Sequence, residues 1–136
     1  MECNHQARVL IADGHAQARN RLSQLLSSRY DVVGVAGEWR QLDESARSLG
    51  PDVLVIDFSL LPGNSLESLR ATRQACPGAR AVLLTGDTVC VLAEAALAAG
   101  ADGVVFKCRA AEELPDAVAA VLEGRPFVSP SCLAAG

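Results

Sequence analysis

The chain has 136 residues, of which 50% are hydrophobic and only 4% aromatic, which is enough for one domain with an aliphatic core. Its formal net charge is −4 and its Lys and Arg residues are scattered, which argues against nucleic-acid binding by this domain. No apolar stretch reaches the roughly 20 residues of a membrane-spanning helix, and residues 1–8 lack the apolar segment of a signal peptide, so we expect a cytoplasmic protein.

The cysteines give little support to metal or redox chemistry. They are five, an odd number, and no two of them form a C-x-x-C pair. We therefore expect reduced thiols that serve as small hydrophobic side chains. The five are Cys3, Cys76, Cys90, Cys108 and Cys132.

Five short apolar runs follow one another along the chain. Each is continuous rather than alternating and is rich in Val, Leu and Ile, which is typical of strands buried on both faces of a parallel sheet. The runs are RVLIA (8–12), DVVGVA (31–36), DVLVID (52–57), ARAVLLT (79–85) and DGVVFK (102–107).

Segments with helical spacing separate these runs. After the first run Leu22 and Leu26 fall on one face, and after the fifth run Leu114 and Val118 do the same. Stop signals follow the helical segments, for example at Gly50. The alternation predicts an α/β fold of the (βα)5 type, in which right-handed crossovers place helices on both faces of a doubly wound parallel sheet.

The domain organisation follows from this pattern. We assign residues 1–7 to an N-terminal tail and residues 8–124 to a single domain. Residues 125–136, RPFVSPSCLAAG, contain a short extended piece followed by small residues. We interpret them as the start of a C-terminal linker.

Polar residues stand where four of the predicted strands end. Asp13 follows the first run, Asp57 ends the third, Thr85 ends the fourth and Lys107 ends the fifth. Each alone has a structural explanation, since an Asp after a strand often caps a helix and a Lys often lies in solvent. Because ligand sites of such sheets lie at the carboxyl ends of the strands, all four together predict a functional site there.

The motifs that carry a family resemblance are RVLIADGHAQAR, PDVLVIDFSLLPGNSLE, AVLLTG, AGADGVVFK and VLEGRPFVSP. Through them the sequence resembles the receiver domains of bacterial two-component response regulators. The resemblance spans residues 8–124 and is closest to receivers that precede a LuxR-type helix-turn-helix. It implies a flavodoxin-like five-stranded sheet of order 2-1-3-4-5. It also implies a signalling phosphoacceptor rather than an enzyme, with only self-directed phosphotransfer and autodephosphorylation as its chemistry.

The resemblance also implies a role for each site residue. Asp57 would accept a phosphoryl group from a histidine kinase or a phosphotransfer protein, while Lys107 and the Thr85 hydroxyl would contact the phosphoryl oxygens. Mg²⁺ would be held by Asp57, by the backbone carbonyl of Ser59 and by an acidic pair after the first strand, of which Asp13 is one member. DNA would be contacted only through a C-terminal helix-turn-helix domain.

Several positions depart from the family pattern. Gly14 stands where the second acid, the direct metal ligand, is expected, and Val104 replaces the aromatic switch residue. The proline after the phosphoacceptor is displaced by one position, to Pro62, and Cys108 follows the lysine. We therefore expect weak Mg²⁺ binding and an attenuated switch, with Asp87 as a partial replacement if its loop folds inward.

Two alternatives remain open at this point. The first is a pseudo-receiver, which would act as a dimerisation or docking module without phosphorylation. The second, more remote, is a cobalamin-binding domain, because Asp13-Gly14-His15 and Ser59-Leu60-Leu61 resemble its D-x-H-x-x-G and S-x-L motifs. Against it, Ala18 replaces the last glycine of the first motif and the chain has no Gly-Gly pair.

The fourth helical segment, residues 88–100, predicts an interaction surface. It contains one charged residue, Glu94. If Ala93, Ala96 and Leu97 face the sheet, an apolar stripe faces outward, and we expect it to mediate a homodimer or another docking contact. The stripe consists of Val91, Ala95 and Ala98.

Overall fold

The computed structural model describes residues 6–86 and 90–130, apart from the side chains of Asn64 and Cys90. Strands and helices alternate along this part of the chain. The strands are β1 (Arg8–Ala12), β2 (Asp31–Ala36), β3 (Val53–Asp57), β4 (Arg80–Thr85), β5 (Gly103–Phe106) and β6 (Phe127–Val128). The helices are α1 (Ala16–Ser27), α2 (Trp39–Leu49), α3 (Glu67–Ala75), α4 (Cys90–Ala98) and α5 (Ala110–Leu122).

The described strands form one parallel sheet in the order β2-β1-β3-β4-β5-β6. The predicted order of the first five is confirmed, but the sheet has one strand more than the prediction. The added strand, β6, lies in the segment that we assigned to the linker. Phe127 donates its N–H to the Asp102 carbonyl at 3.2 Å, and Ser129 donates its N–H to the Val104 carbonyl at 3.1 Å.

Two apolar layers, one on each face of the sheet, explain why the strand runs are continuous. On β1, Val9 and Ile11 belong to one layer, while Leu10 and Ala12 belong to the other. The first layer packs against α1 and α5, and the second against α2, α3 and α4. Since nearly all positions of β3, β4 and β5 are buried between the two layers, alternation with polar residues is lost there, and the doubly wound prediction is confirmed.

The ends of the elements follow the predicted signals. Gly50, at the C-cap of α2, has φ 58 and ψ 53, a left-handed conformation that glycine adopts without steric cost. Among the described residues, no helix is both long and apolar enough to cross a bilayer.

Helix α4 has the two faces that its sequence predicts. Ala93 and Ala96 are buried in the layer against the sheet. Val91 is 70% exposed, and Ala95 and Ala98 are exposed as well. The helix therefore presents small apolar side chains to solvent on the face that was expected to be apolar.

A buried hydrogen-bond cluster attaches the segment after β6 to the domain. The Ser129 hydroxyl donates to Glu113 Oε1 at 2.6 Å and accepts the Phe106 N–H at 3.0 Å. Ser129 is fully buried and Glu113 is 8% exposed. This cluster, which sequence analysis missed, holds residue 129 against the end of β5.

Candidate functional site

The parallel sheet brings the predicted site residues to one edge. Asp57 is the last residue of β3, Thr85 is the last residue of β4, and Asp13 and Lys107 directly follow β1 and β5. The Lys107 ammonium lies 3.1 Å from Asp57 Oδ2 and 3.4 Å from Asp13 Oδ2. The ends of β1, β3 and β5 therefore meet in one ion cluster, as their positions in the sequence indicate.

Asp57 is buried and its carboxylate is held in place from two sides. Its Oδ1 accepts the Ser59 N–H at 3.2 Å, and its Oδ2 accepts the Ser59 hydroxyl at 2.9 Å and Lys107 at 3.1 Å. The same Asp57 caps the 3₁₀ turn Phe58–Leu60 that begins directly after β3. The carboxylate is thus fixed at the end of a central strand by its own following turn.

Asp13 is fully buried and only half satisfied. Its Oδ1 accepts the His15 N–H at 2.9 Å, and its backbone carbonyl accepts from Arg19 Nη1 at 2.8 Å. Its Oδ2 is the one buried side-chain polar atom among the described residues that has no hydrogen-bond partner. Lys107, whose ammonium lies 3.4 Å from this oxygen, forms an ion pair with it.

Lys107 is one cation between two carboxylates. Burial lowers the pKa of Lys107, but the hydrogen bond and charge of Asp57, together with Asp13, outweigh it and raise the pKa above 10.5. The lysine therefore remains charged at neutral pH. With both carboxylates ionised the three groups carry an excess of one negative charge, which suits the cluster to a further cation.

Thr85 and Val104 complete this end of the sheet. Thr85 is buried and lies opposite Phe106 in the β4–β5 ladder. Val104 is fully buried in β5, opposite Leu83, and belongs to the layer beneath α4. The position expected to hold an aromatic switch is thus filled by a core valine.

The backbone does not require a glycine at position 14. Gly14 is not among the described glycines with positive φ, which are Gly50, Gly63, Gly100 and Gly124. A Cβ at Gly14 would lie 3.5 Å from Leu60 Cδ2 and 3.9 Å from the Gly37 carbonyl, which are ordinary contacts. A Cβ therefore fits at this position without steric conflict, and relative to the family pattern the glycine removes a functional group.

The residues present fit a divalent cation. Asp13, His15 and Asp57 each offer one ligand atom, and these atoms lie within 4.8 Å of one another. Carboxylate oxygens are the ligands that Mg²⁺ prefers, and the unpartnered Asp13 Oδ2 supplies one. Ser59 is held beside Asp57 by its two hydrogen bonds. Asp87, suggested as a replacement ligand, lies outside the described residues.

The contacts that His15 and Ser59 make with the neighbouring carboxylates were not predicted from the sequence. Both contact the carboxylate two positions earlier in the chain, His15 through its N–H to Asp13 and Ser59 through its N–H to Asp57. Such contacts are typical of Asx turns. The signal that could have revealed them is an aspartate at a strand end, whose carboxylate can accept the backbone N–H of the residue two positions later.

Comparison with known proteins agrees with this geometry. A family model described as the response regulator receiver domain matches residues 9–119. The chain belongs to this family. The predicted resemblance to receivers of two-component systems is confirmed, and with it membership in a class of signal-transduction proteins. Family membership favours the receiver prediction over the cobalamin-binding alternative.

The relatives of this receiver include a DNA-binding transcriptional activator and a response regulator protein. It is 34% identical over 130 residues to the DNA-binding transcriptional activator DevR/DosR of Mycobacterium tuberculosis, covering 94% of the chain and 60% of the relative. It is 31% identical over 131 residues to the nitrate/nitrite response regulator protein NarL of Escherichia coli K12, covering 95% and 61%. The chain thus spans about 60% of the length of the curated relatives it matches.

A solved structure agrees with both the fold and the subgroup. The crystal structure of a two-component response regulator of the LuxR family from Aurantimonas sp. SI85-9A1 superposes with a TM-score of 0.86 at 31% sequence identity. The match covers 94% of this chain and 93% of the other. The subgroup expected from the sequence, receivers of LuxR-family regulators, is therefore confirmed.

Proposed function

We propose that this receiver accepts a phosphoryl group on Asp57 from a histidine kinase or a phosphotransfer protein and thereby switches an output. The observation that carries the proposal is the buried Asp57 carboxylate with the Lys107 ammonium at 3.1 Å. A carboxylate oxygen would form a bond to phosphorus while the bond to the donor imidazole breaks, giving an acyl phosphate. Lys107 offsets the repulsion between the carboxylate and the anionic donor.

Other groups around Asp57 support the same chemistry. The Ser59 hydroxyl already bonds the carboxylate at 2.9 Å, so it is within reach of a new phosphoryl oxygen. Thr85, buried at the end of β4, is proposed to hydrogen-bond another. Because Val104 stands in the aromatic position, we propose that the movement of Thr85 is coupled only weakly to the rest of the domain.

We propose Mg²⁺ as the cofactor, held by Asp13, Asp57 and the backbone carbonyl of Ser59. When bound, the ion supplies positive charge that neutralises the phosphoryl oxygens. Since Gly14 contributes no carboxylate, one ligand fewer is available and binding is expected to be weak. Phosphorylation is therefore attenuated rather than lost.

The site is open to a protein partner. A cavity of about 640 Å³ between α1 and α5 reaches Asp13 and Lys107 and has Leu22, Leu25 and Leu84 in its lining. Such a cleft fits an apolar partner helix that brings a phosphohistidine to the sheet edge, and we place this exchange in the cytoplasm, where ATP supplies phosphoryl groups. DNA would be contacted through a C-terminal output domain, since this chain carries a net charge of −4 and its relative DevR/DosR is a DNA-binding activator.

The test is labelling by acetyl phosphate with Mg²⁺, measured by intact mass. We expect a single phosphoryl increment in the native chain and none in Asp57→Asn. Asp116→Asn is a matched control because Asp116 is an exposed residue of α5, and it should be labelled normally. An increment that persists in Asp57→Asn would disprove the assignment. A folded native chain that is never labelled, by acetyl phosphate or by a phosphorylated kinase, would instead identify a pseudo-receiver.

A further inference from the structure

The imidazole of His15 lies beside the carboxylates of the site and has no role in the function proposed above. We propose that His15 takes the place of the ligand missing at Gly14. Asp13, His15 and Asp57 then form a mixed nitrogen–oxygen site that selects a transition-metal ion of the Co²⁺ or Zn²⁺ class over Mg²⁺. This inference concerns the same site as the proposed function, and it rests on that function only for the role of the metal in phosphorylation. Metal binding itself is measured without phosphorylation.

The positions of the three side chains suit a shared ion. His15 Nδ1 lies 3.4 Å from Asp13 Oδ1. Two atoms that each lie about 2.1 Å from one ion are themselves roughly 3–3.5 Å apart at tetrahedral or octahedral cis positions. The ligand atoms of all three residues fall within 4.8 Å, and the His15 side chain is 77% exposed, so its ring can turn to close the remaining distance.

A second, independent observation is the incomplete hydrogen bonding of the buried Asp13 carboxylate. This residue is fully buried, and its Oδ2 has no hydrogen-bond partner. Buried polar atoms nearly always have a hydrogen-bond partner, so a buried carboxylate oxygen whose one contact is an ion pair has room for a metal ion or a water. Lys107 contacts the Oδ2 atoms of both carboxylates but not the Oδ1 atom that faces His15.

The donor set decides the class of ion. Mg²⁺ takes oxygen ligands almost exclusively, whereas imidazole suits Zn²⁺, Co²⁺, Ni²⁺ and Cu²⁺. His15 is held at this place by the backbone, because it is the N-cap of α1 and donates its N–H to Asp13. The backbone of His15 is held in this way, so the ring needs only a side-chain rotation to reach an ion bound by the two carboxylates.

The experiment is a Co²⁺ titration of the reduced full chain, followed by calorimetry and visible absorption. The chain has two histidines, so His5→Ala is the matched control for His15→Ala. We expect His15→Ala to weaken Co²⁺ binding by about 10-fold or more, and His5→Ala to change it by less than about 2-fold. Mg²⁺ affinity should change by less than about 2-fold in either variant, because Mg²⁺ does not use the imidazole.

The outcomes separate this inference from the proposed function. Equal Co²⁺ affinity in the native chain and His15→Ala would overturn it, and so would an absorption spectrum with only thiolate charge-transfer bands, which indicates cysteine ligation. Loss of Co²⁺ affinity in His15→Ala without any labelling of Asp57 would support the metal site and reject the phosphoacceptor. If Asp57 is labelled in the presence of Mg²⁺ and His15→Ala leaves Co²⁺ affinity unchanged, the phosphoacceptor is supported and the metal site is rejected.

Discussion

Replacement of Ser129 by alanine should destabilise the domain well beyond the effect of an ordinary surface substitution. The Ser129 hydroxyl is fully buried, donates to Glu113 Oε1 at 2.6 Å and accepts the Phe106 N–H at 3.0 Å. Alanine removes both interactions at once. The Glu113 carboxylate and the Phe106 N–H would then be left in the interior without this partner.

The size of the effect follows from these two groups. A hydrogen bond to a charged group contributes about 1.5–3 kcal/mol, and an unsatisfied buried donor costs about 1–3 kcal/mol. Arg109 Nε, 3.6 Å from Glu113 Oε2, retains part of the charge compensation. We therefore expect a loss of about 2–4 kcal/mol, a large share of the roughly 5–15 kcal/mol of a typical domain. The midpoint of thermal unfolding should fall by about 10 °C.

The assay is urea unfolding of the native chain, Ser129→Ala and a matched control, Ser48→Ala. Ser48 is an exposed residue of α2, so its substitution should change the unfolding free energy by less than about 0.5 kcal/mol. The double variant with Glu113→Ala should lose less than the sum of the two single changes, because the two side chains share one interaction. If Ser129→Ala is as mild as Ser48→Ala, the cluster does not stabilise the fold and the reasoning fails.

Two further predictions concern the site and the exposed face of α4. Gly14→Asp should tighten Mg²⁺ binding by about 10-fold or more and speed the labelling of Asp57 by acetyl phosphate; equal Mg²⁺ affinities in a calorimetric titration of both proteins would mean that no ligand is missing. The native chain should self-associate at high concentration through the apolar face of α4, and Ala95→Glu should return it to monomers in sedimentation experiments. Ala71→Glu, on the exposed face of α3, is the control, and a native chain that stays monomeric throughout would contradict this prediction.

The fold could be predicted because its signals are local and repeated. Five continuous apolar runs, each followed by helical spacing, indicate a parallel sheet without knowledge of any contact. The sixth strand escaped because Phe127–Val128 has only two residues and is a strand by virtue of its pairing with β5. Ser129, directly after this strand, hydrogen-bonds Glu113 across 16 positions, and no local pattern reports such a contact.

The site could be predicted in part, for a similar reason. The ends of parallel strands share one edge, so the meeting of Asp13, Asp57 and Lys107 follows from topology. The side-chain details do not follow from it. Lys107 bridges both carboxylates, and Asp13 keeps one oxygen without a hydrogen bond. Both features depend on distances near 3 Å between the ammonium and the carboxylate oxygens. The sequence therefore predicts the edge of the sheet at which the site lies, whereas the chemistry of the site depends on side-chain distances within it.

Gly14 shows how structure decides between two explanations that a sequence leaves open. A glycine is favoured where φ is positive, as at Gly50 with φ +58, or where fixed backbone atoms lie too close for a Cβ. Neither condition holds at Gly14, whose Cβ would meet nothing nearer than Leu60 Cδ2 at 3.5 Å. Since the backbone would accept a side chain there, the difference that glycine makes at this site is chemical. In place of the carboxylate that Gly14 lacks, His15 is the residue in the described part of the chain that groups with Asp13 and Asp57 as a possible metal ligand.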